Sequence, residues 1–276
     1  MLEKFSVLLS VYNKEKPEYL LESLNSVLNQ TIVPNEILIV KDGPLTSQLE
    51  KIIEEYLNNY PKLFKIINFS ENKGLGIALR AGVEACSYEI IARMDTDDIC
   101  HKTRFEKQLN FLTNNKEIAI VGTNALDFDR SINNVISSRV FPEYNREIMY
   151  KSKRRCPFLH PTVMFRRSAI LKVGNYENLL WFEDYLLFLK LLKNGYRGYN
   201  LQENLLYFRS NEETYNRRGG VKYLVEEYKA LTLFYKRNLF NSWHYLTNLM
   251  LRSIIRISGN KIRTLIYKTF LRKKNK

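Results

Sequence analysis

Within the first hundred residues, strand-like and helix-like segments alternate, and this rhythm constrains the fold more than any other feature. Phe5–Leu9, Ile37–Val40, Phe64–Phe69 and Glu89–Met94 are short apolar runs of strand length. Between them lie helical patterns over Glu18–Asn29, Leu45–Asn58 and Leu75–Ala85. An α/β alternation of this kind builds a Rossmann-like, mostly parallel sheet flanked by helices on both faces. Ligands then bind in the crevice beyond the carboxyl ends of the strands.

The polar signatures of the chain fall at those ends. Ser10-Val11-Tyr12-Asn13 follows the first strand, Asp42-Gly43 the second, Asn72-Lys73-Gly74 the third and Asp95-Thr96-Asp97-Asp98 the fourth. Each alone has a plain explanation: Asn13 and Asp42 as turn residues, Gly43 as a position needing positive φ, Asn72 as a helix cap, the acidic run as a turn before a helix near Lys102. Together they point to one site. Carboxylates as close as Asp95, Asp97 and Asp98 raise each other's pKa values unless a cation or hydrogen-bond donors neutralise them. Mg²⁺ or Mn²⁺ suits such hard oxygen ligands and keeps positions open for water and phosphate, so a phosphorylated ligand is expected.

At 276 residues with 45% hydrophobic content, the chain can bury a full core. Cys86, Cys100 and Cys156 stand far apart with no zinc-type spacing, which predicts reduced thiols in a cytosolic protein. Met1 to Leu9 runs into a strand pattern rather than a signal sequence, and no apolar stretch reaches membrane-span length. Of the net charge of +14, twelve units fall after Glu227, where no Asp or Glu occurs, so the preceding part carries only +2. Leu249, Ile254, Ile255, Ile257, Ile262, Leu265 and Ile266 interleave there with Arg252, Arg256, Lys261, Arg263 and Lys268. Two readings stand: a cationic amphipathic surface for anionic membranes, or a solvated helix whose apolar side packs on the protein. No nucleic-acid motif accompanies the charge, so nucleic acid is not an expected partner.

Through SVLLSVYN, ILIVKDG, NKGLGIALRAG, ARMDTDD and WFEDY, spread in order over most of its length, the chain resembles the family 2 glycosyltransferases with the GT-A fold. HPTVMFRRSAI and YNRRGG bring it nearest the bacterial exopolysaccharide and O-antigen enzymes of the amylovoran-biosynthesis type, several of them galactosyltransferases. The resemblance implies that Ser10, Val11, Tyr12, Asn13, Asp42 and Gly43 hold the nucleotide, with Tyr12 stacked on uracil and Asp42 accepting from its N3–H. Asn72, Gly74, Arg80 and Thr96 join this nucleotide-sugar set, Asp95 binds ribose, and Asp97, with Asp95, holds Mn²⁺ or Mg²⁺. Arg80 also reads as a surface helix arginine. Asp98 either assists the metal or pairs with Arg104, and Lys102 stands where many relatives carry proline.

A nucleoside diphosphate leaves readily once a Lewis acid stabilises its charge, so direct attack by an acceptor hydroxyl with inversion needs one general base. Glu183-Asp184 opens the apolar helix Tyr185–Leu192 and can cap it; the resemblance makes Asp184 the base and Glu183 a ligand of the acceptor hydroxyl. Trp181 and Phe182 offer a sugar-stacking platform. His160 can reach the acceptor, complete the metal sphere, or serve as a turn histidine bonded to backbone. Arg218, beside Arg217 and before Gly219-Gly220, reads as a donor lid or as a basic loop touching nothing. Without a QxxRW segment a non-processive enzyme is expected.

The expectation is therefore an inverting, metal-dependent glycosyltransferase moving a hexose, galactose first, from a UDP-sugar to a polyprenyl-diphosphate-linked saccharide. It would work in the cytoplasm, peripherally at the anionic inner face of the membrane. Residues 1–215 would form the catalytic domain, with 1–100 for the nucleotide-sugar and 101–215 for the acceptor, and 216–276 a helical basic extension. A sugar-phosphate nucleotidyltransferase, lacking here its glycine-rich basic loop after the first strand, and a non-enzymatic membrane-binding scaffold are the alternatives.

Overall fold

The structure is a computed structural model that describes residues 3–210 and 220–257. The expected alternation is realised as β1 (Phe5–Val11), α1 (Pro17–Leu28), β2 (Glu36–Lys41), α2 (Ser47–Asn59), β3 (Phe64–Asn68), α3 (Leu75–Ala85) and β4 (Ile90–Arg93). β1 pairs in parallel with β2 and β4, and β2 with β3, giving the order β3-β2-β1-β4. Pro17 starts α1, where its missing N–H costs nothing, and the Thr46 hydroxyl caps α2 by accepting from Leu49 N–H. Alternate residues of the strands feed different cores. Val7, Leu9, Ile37 and Ile39 meet Leu20, Leu24, Leu49 and Ile53 of α1 and α2, whereas Leu8, Leu38 and Val40 meet Ala78, Leu79 and Val83 of α3.

After β4 the sheet changes character. The chain continues through β5 (Ile99–Cys100), α4 (Arg104–Asn114), β6 (Ile118–Asp129), β7 (Ser131–Arg139) and α5 (Asn145–Ser152) to a 3₁₀ turn at His160–Thr162. It then forms β8 (Met164–Arg166), α6 (Arg167–Lys172), α7 (Glu183–Lys193) and β9 (Arg197–Arg209). β8 inserts antiparallel between β4 and β6, and β9 runs parallel to β6, so one sheet in the order β3-β2-β1-β4-β8-β6-β9-β5 joins both halves, with β7 antiparallel on β6. The β6–β7 hairpin has no counterpart in the sequence reading, and β9 extends the expected Leu205–Phe208 strand towards its amino end.

Two further helices, α8 (Val221–Lys236) and α9 (Ser242–Ile257), pack on α7 through Tyr185, Leu186 and Leu189 against Tyr223, Leu231 and Phe234. Their polar lock is Glu227, only 1% exposed, which pairs with Arg252 at 2.7 Å and Arg256 at 2.7 Å. Burial would push this carboxyl up, yet the bonds and charges of Arg256 and Arg252 hold it below the ordinary value. Arg252 and Arg256 therefore face inward rather than forming a cationic surface, because the buried Glu227 needs compensating charge. The basic residues from Lys261 onward, and Arg218, lie outside the described residues.

Candidate active site

The four strand ends meet as the alternation requires. Asp42, just past β2, donates its N–H to Val11 O at 2.8 Å, and its carboxylate accepts from Lys73 N–H at 2.7 Å and Gly74 N–H at 3.0 Å. Asn72 Nδ2 donates back to Asp42 O at 3.1 Å, so the second and third loops are clasped. Gly43 makes the clasp possible: at φ +90° a Cβ there would sit 2.7 Å from the Asn72 backbone nitrogen. Tyr12 is half-buried and Asn13 exposed, at the mouth of this loop pair. Val11, in contrast, is fully buried in the core, so its side chain is structural and not a ligand contact.

The acidic loop is pinned from three sides. Ser23 Oγ donates to Asp95 O at 2.9 Å, and the buried Arg93 pairs with the Asp95 carboxylate. Thr96, 3% exposed, donates its hydroxyl to Glu15 Oε2 at 2.5 Å, tying this loop to the one after β1; its side chain is thus occupied in scaffolding, not turned to a ligand. Arg209, closing β9, donates from its backbone N–H to Asp98 Oδ1 at 2.8 Å and from Nε to Asp97 O at 2.8 Å, while its guanidinium lies 3.9 Å over the Tyr19 ring. Sequence reasoning missed Arg209; the signal was a basic residue ending the apolar run Leu205-Leu206-Tyr207-Phe208. Asp98 does not pair with Arg104. That arginine is buried and donates from Nη2 to Arg93 O at 2.8 Å and from Nε to Gln108 Oε1 at 3.0 Å, holding the end of β4 from beneath.

Asp95, Asp97 and Asp98 offer carboxylate oxygens within 4.8 Å of one another. Asp98 Oδ2 is buried with no hydrogen-bond partner among the described residues. Burial, with the neighbouring charges of Asp97 and Asp95, pushes the Asp98 carboxyl well above the ordinary value. A hard divalent cation relieves all three carboxylates at once, so the donor set fits Mg²⁺ or Mn²⁺.

The residues expected to serve the acceptor approach the strand ends through the start of α7. Gly76 in the first turn of α3 is packed so closely that a Cβ there would lie 2.3 Å from Glu177 O and 3.3 Å from Glu183 Cβ. The positive ends of α3 and α7 therefore converge, which favours an anion between them. Glu183 is 7% exposed; desolvation first, then the charge of Asp184, pushes its carboxyl up to about 8. Half-buried Asp184 accepts from Tyr185 N–H at 2.6 Å, and the Cys156 thiol donates to its Oδ2 at 3.7 Å.

Trp181, at φ 66°, stacks on Tyr223 of α8 with ring centroids 4.9 Å apart and stays 37% exposed. Phe182 is not part of a platform: it is 5% exposed, in the α7–α8 core, because it faces Tyr223 and Leu186 beneath the loop. His160 bonds through Nε2 to Tyr176 OH at 2.9 Å, a buried side chain rather than backbone. Burial and the charge of Arg93 hold its pKa well below the ordinary value, so it is neutral and stands outside the carboxylate cluster. Arg80 pairs with Glu84 at 3.3 Å, one turn further along α3, and its side chain is 48% exposed.

The glycosyl transferase family 2 profile matches residues 6–174. A UDP-Gal:alpha-D-GlcNAc-diphosphoundecaprenol beta-1,3-galactosyltransferase from Escherichia coli is 37% identical over 273 residues, covering 98% of this chain and 97% of that protein. The amylovoran biosynthesis glycosyltransferase AmsE from Erwinia amylovora is 36% identical over 83% of this chain and 85% of its own. Among solved structures, S. aureus TarS 1-349 in complex with UDP-GlcNAc superposes with a TM-score of 0.68 at 21% identity, covering 97% of this chain and 76% of that one, and shares the GT-A fold.

Proposed function

The chain belongs to glycosyl transferase family 2 and is a glycosyltransferase, and from that premise we propose that it moves galactose from UDP-galactose to a hydroxyl of a polyprenyl-diphosphate-linked saccharide in bacterial surface-polysaccharide synthesis. The observation that carries this reading is the approach of Glu183-Asp184 to the donor-side loops through the Gly76 contact. Likeness over nearly the whole length to an enzyme named for UDP-Gal and a diphosphoundecaprenol-linked sugar supports the donor and acceptor classes.

On this reading Tyr12 stacks on the uracil. Each Asp42 oxygen accepts one backbone N–H and keeps a lone pair for the uracil N3–H. Asp95 holds ribose, and Asp97 with Asp98 and Asp95 would hold Mn²⁺ or Mg²⁺. When bound, the cation supplies Lewis-acid stabilisation of the charge that develops on the diphosphate. Asp184 takes the acceptor hydroxyl proton as its oxygen bonds to the anomeric carbon and the bond from that carbon to the diphosphate breaks, inverting the centre. Glu183, protonated at neutral pH, hydrogen-bonds an acceptor hydroxyl from the desolvated side. Of the pair Trp181 and Phe182, Trp181 offers the exposed ring to the sugar. Residues 1–100 serve the donor and 101–215 the acceptor, with Arg218 a candidate lid and 216–276 the membrane-facing part. None of the described helices is long and apolar enough to cross a membrane, in keeping with peripheral attachment at the inner leaflet.

The test is UDP release from a panel of UDP-sugars with Mn²⁺, Mg²⁺ or chelator, for wild type and Asp97→Ala. Metal-dependent turnover selective for UDP-galactose and lost in Asp97→Ala is expected. Equal activity in chelator, or turnover of another donor alone, overturns the metal or the sugar assignment respectively.

A further inference from the structure

A helix on the surface of a water-soluble protein turns its apolar stripe inward and its charges outward. α9 departs from this: Tyr245 and Leu249 pack inward, but a second apolar stripe faces out. Its inward side carries Asn248, which donates to Lys153 O at 2.8 Å, and Arg252, which donates to Arg154 O at 2.7 Å and pairs with Glu227. Its outward side carries Trp243, Leu246, Met250 and Ile254, spaced as one helical stripe and 72%, 59%, 60% and 61% exposed. α8 adds Val221 at 77%, Val225 and Tyr228, all exposed, and an apolar groove of about 270 Å³ lined by Val225, Tyr228 and Leu249 joins the two helices. Among the described residues nothing covers this apolar face, and a face of this extent marks a surface made for a non-aqueous partner.

We propose that the outward faces of α8 and α9 together insert into the interface of an anionic phospholipid bilayer, with Trp243 as the anchor. Two observations select lipid over protein. After Ile257 the sequence continues with seven basic and no acidic residues, which complements anionic headgroups. An exposed tryptophan at the end of an apolar stripe suits the headgroup boundary, where its ring is buried and its N–H stays wet. From its opposite, inward side α8 reaches the proposed acceptor site, where buried Tyr223 stacks on Trp181 next to Glu183-Asp184. The inference rests on the lipid-linked acceptor of the proposed function and adds the surface that presents the site to that lipid. Attachment is thus apolar at α8–α9, and not only electrostatic.

The experiment uses the full chain with phosphatidylglycerol-containing vesicles in about 1 M salt, where charge attraction is screened within ~3 Å. Wild type is expected to stay bound, and its Trp243 fluorescence to be quenched by bromine-labelled acyl chains, the quenching being lost in Trp243→Phe. Each large side chain withdrawn from water is worth about 10- to 100-fold in partition, so Leu246→Glu and Met250→Glu should each weaken binding by at least about 10-fold. Both positions are solvent-facing, and UDP release from the donor in vesicle-free solution is expected to match wild type in both variants. Release of wild type from vesicles at high salt overturns the proposal, while persisting UDP release leaves the glycosyltransferase reading intact. A dimer in sedimentation that Leu246→Glu dissociates, without vesicle binding, overturns it in favour of a second copy. Buried-type Trp243 emission without vesicles overturns it in favour of cover by the chain itself.

Discussion

Replacing Gly76 with alanine tests whether the contact between α3 and α7 sets the distance between the donor and acceptor groups. The added methyl would lie 2.3 Å from Glu177 O, where real contacts require at least 3.0 Å, and 3.3 Å from Glu183 Cβ. Glu177 is poorly placed to yield: its carboxylate is held by Arg237 at 2.6 Å and Lys190 at 2.9 Å, bonds that bring its pKa down to about 2. The first turn of α3 must therefore move by most of an ångström from the Glu177 loop that leads into α7. Overpacking of this kind costs about 1–3 kcal/mol, and alanine's helix propensity returns up to about 1 kcal/mol, so the protein stays folded with a Tm lower by roughly 2–8 °C. Displacement of about 1 Å between reacting groups costs on the order of 10²-fold in turnover. The assay is the initial rate of UDP release at saturating donor and acceptor, with thermal unfolding alongside. Gly82→Ala is the control: its Cβ would also approach an atom at 2.3 Å, but that atom is Leu8 Cδ1 in the core, so stability should fall without a comparable loss of turnover. Turnover of Gly76→Ala within about 3-fold of wild type would refute the reasoning.

Asp184→Asn should lower turnover about 10²- to 10⁴-fold with donor affinity nearly unchanged, read from steady-state rates and UDP-sugar titration; wild-type turnover would reject Asp184 as base. Glu183, with its folded-state carboxyl pushed up to about 8, binds a proton that the unfolded chain releases at its ordinary value, so stability should fall as pH rises from about 4.5 to 8. The slope approaches ~1.4 kcal/mol per pH unit, and Glu183→Gln should flatten it; denaturant midpoints at three pH values decide, an unchanged slope in the variant counting against the assignment. Glu227→Gln leaves Arg252 and Arg256 without their buried counter-charge, which should cost about 3–5 kcal/mol and lower Tm by about 10 °C; a Tm within about 2 °C of wild type would show that the lock is dispensable.

The parallel half of the sheet was legible because both of its signals are local. Short apolar runs separated by helical periodicity specify β1 to β4, and turn residues such as Asp42-Gly43 and Asn72-Lys73-Gly74 mark their carboxyl ends, where chain topology brings them together. The β6–β7 hairpin was missed because β7 is largely exposed and reads as a polar loop, Ser131-Ile132-Asn133-Asn134, that becomes a strand only by pairing with β6. The site shows the same division. That carboxylates would cluster at Asp95–Asp98, and that Glu183-Asp184 would open a helix, follows from residue order alone.

What tertiary structure decided is which partner each polar side chain meets. Arg104 and Asp98 are close in sequence, yet Arg104 turns under β4 to Arg93 O while Asp98 takes the N–H of Arg209, 111 residues away. Phe182 and Trp181 are adjacent, but the positive φ at Trp181 sends one ring to the surface and the other into the core. α9 is the clearest case. Its periodicity declares an amphipathic helix, and only the buried Glu227 on α8 determines that the arginines turn inward and the apolar stripe outward. Local order sets the period of a helix or strand; which face is buried depends on charges and surfaces brought near only when the chain has folded.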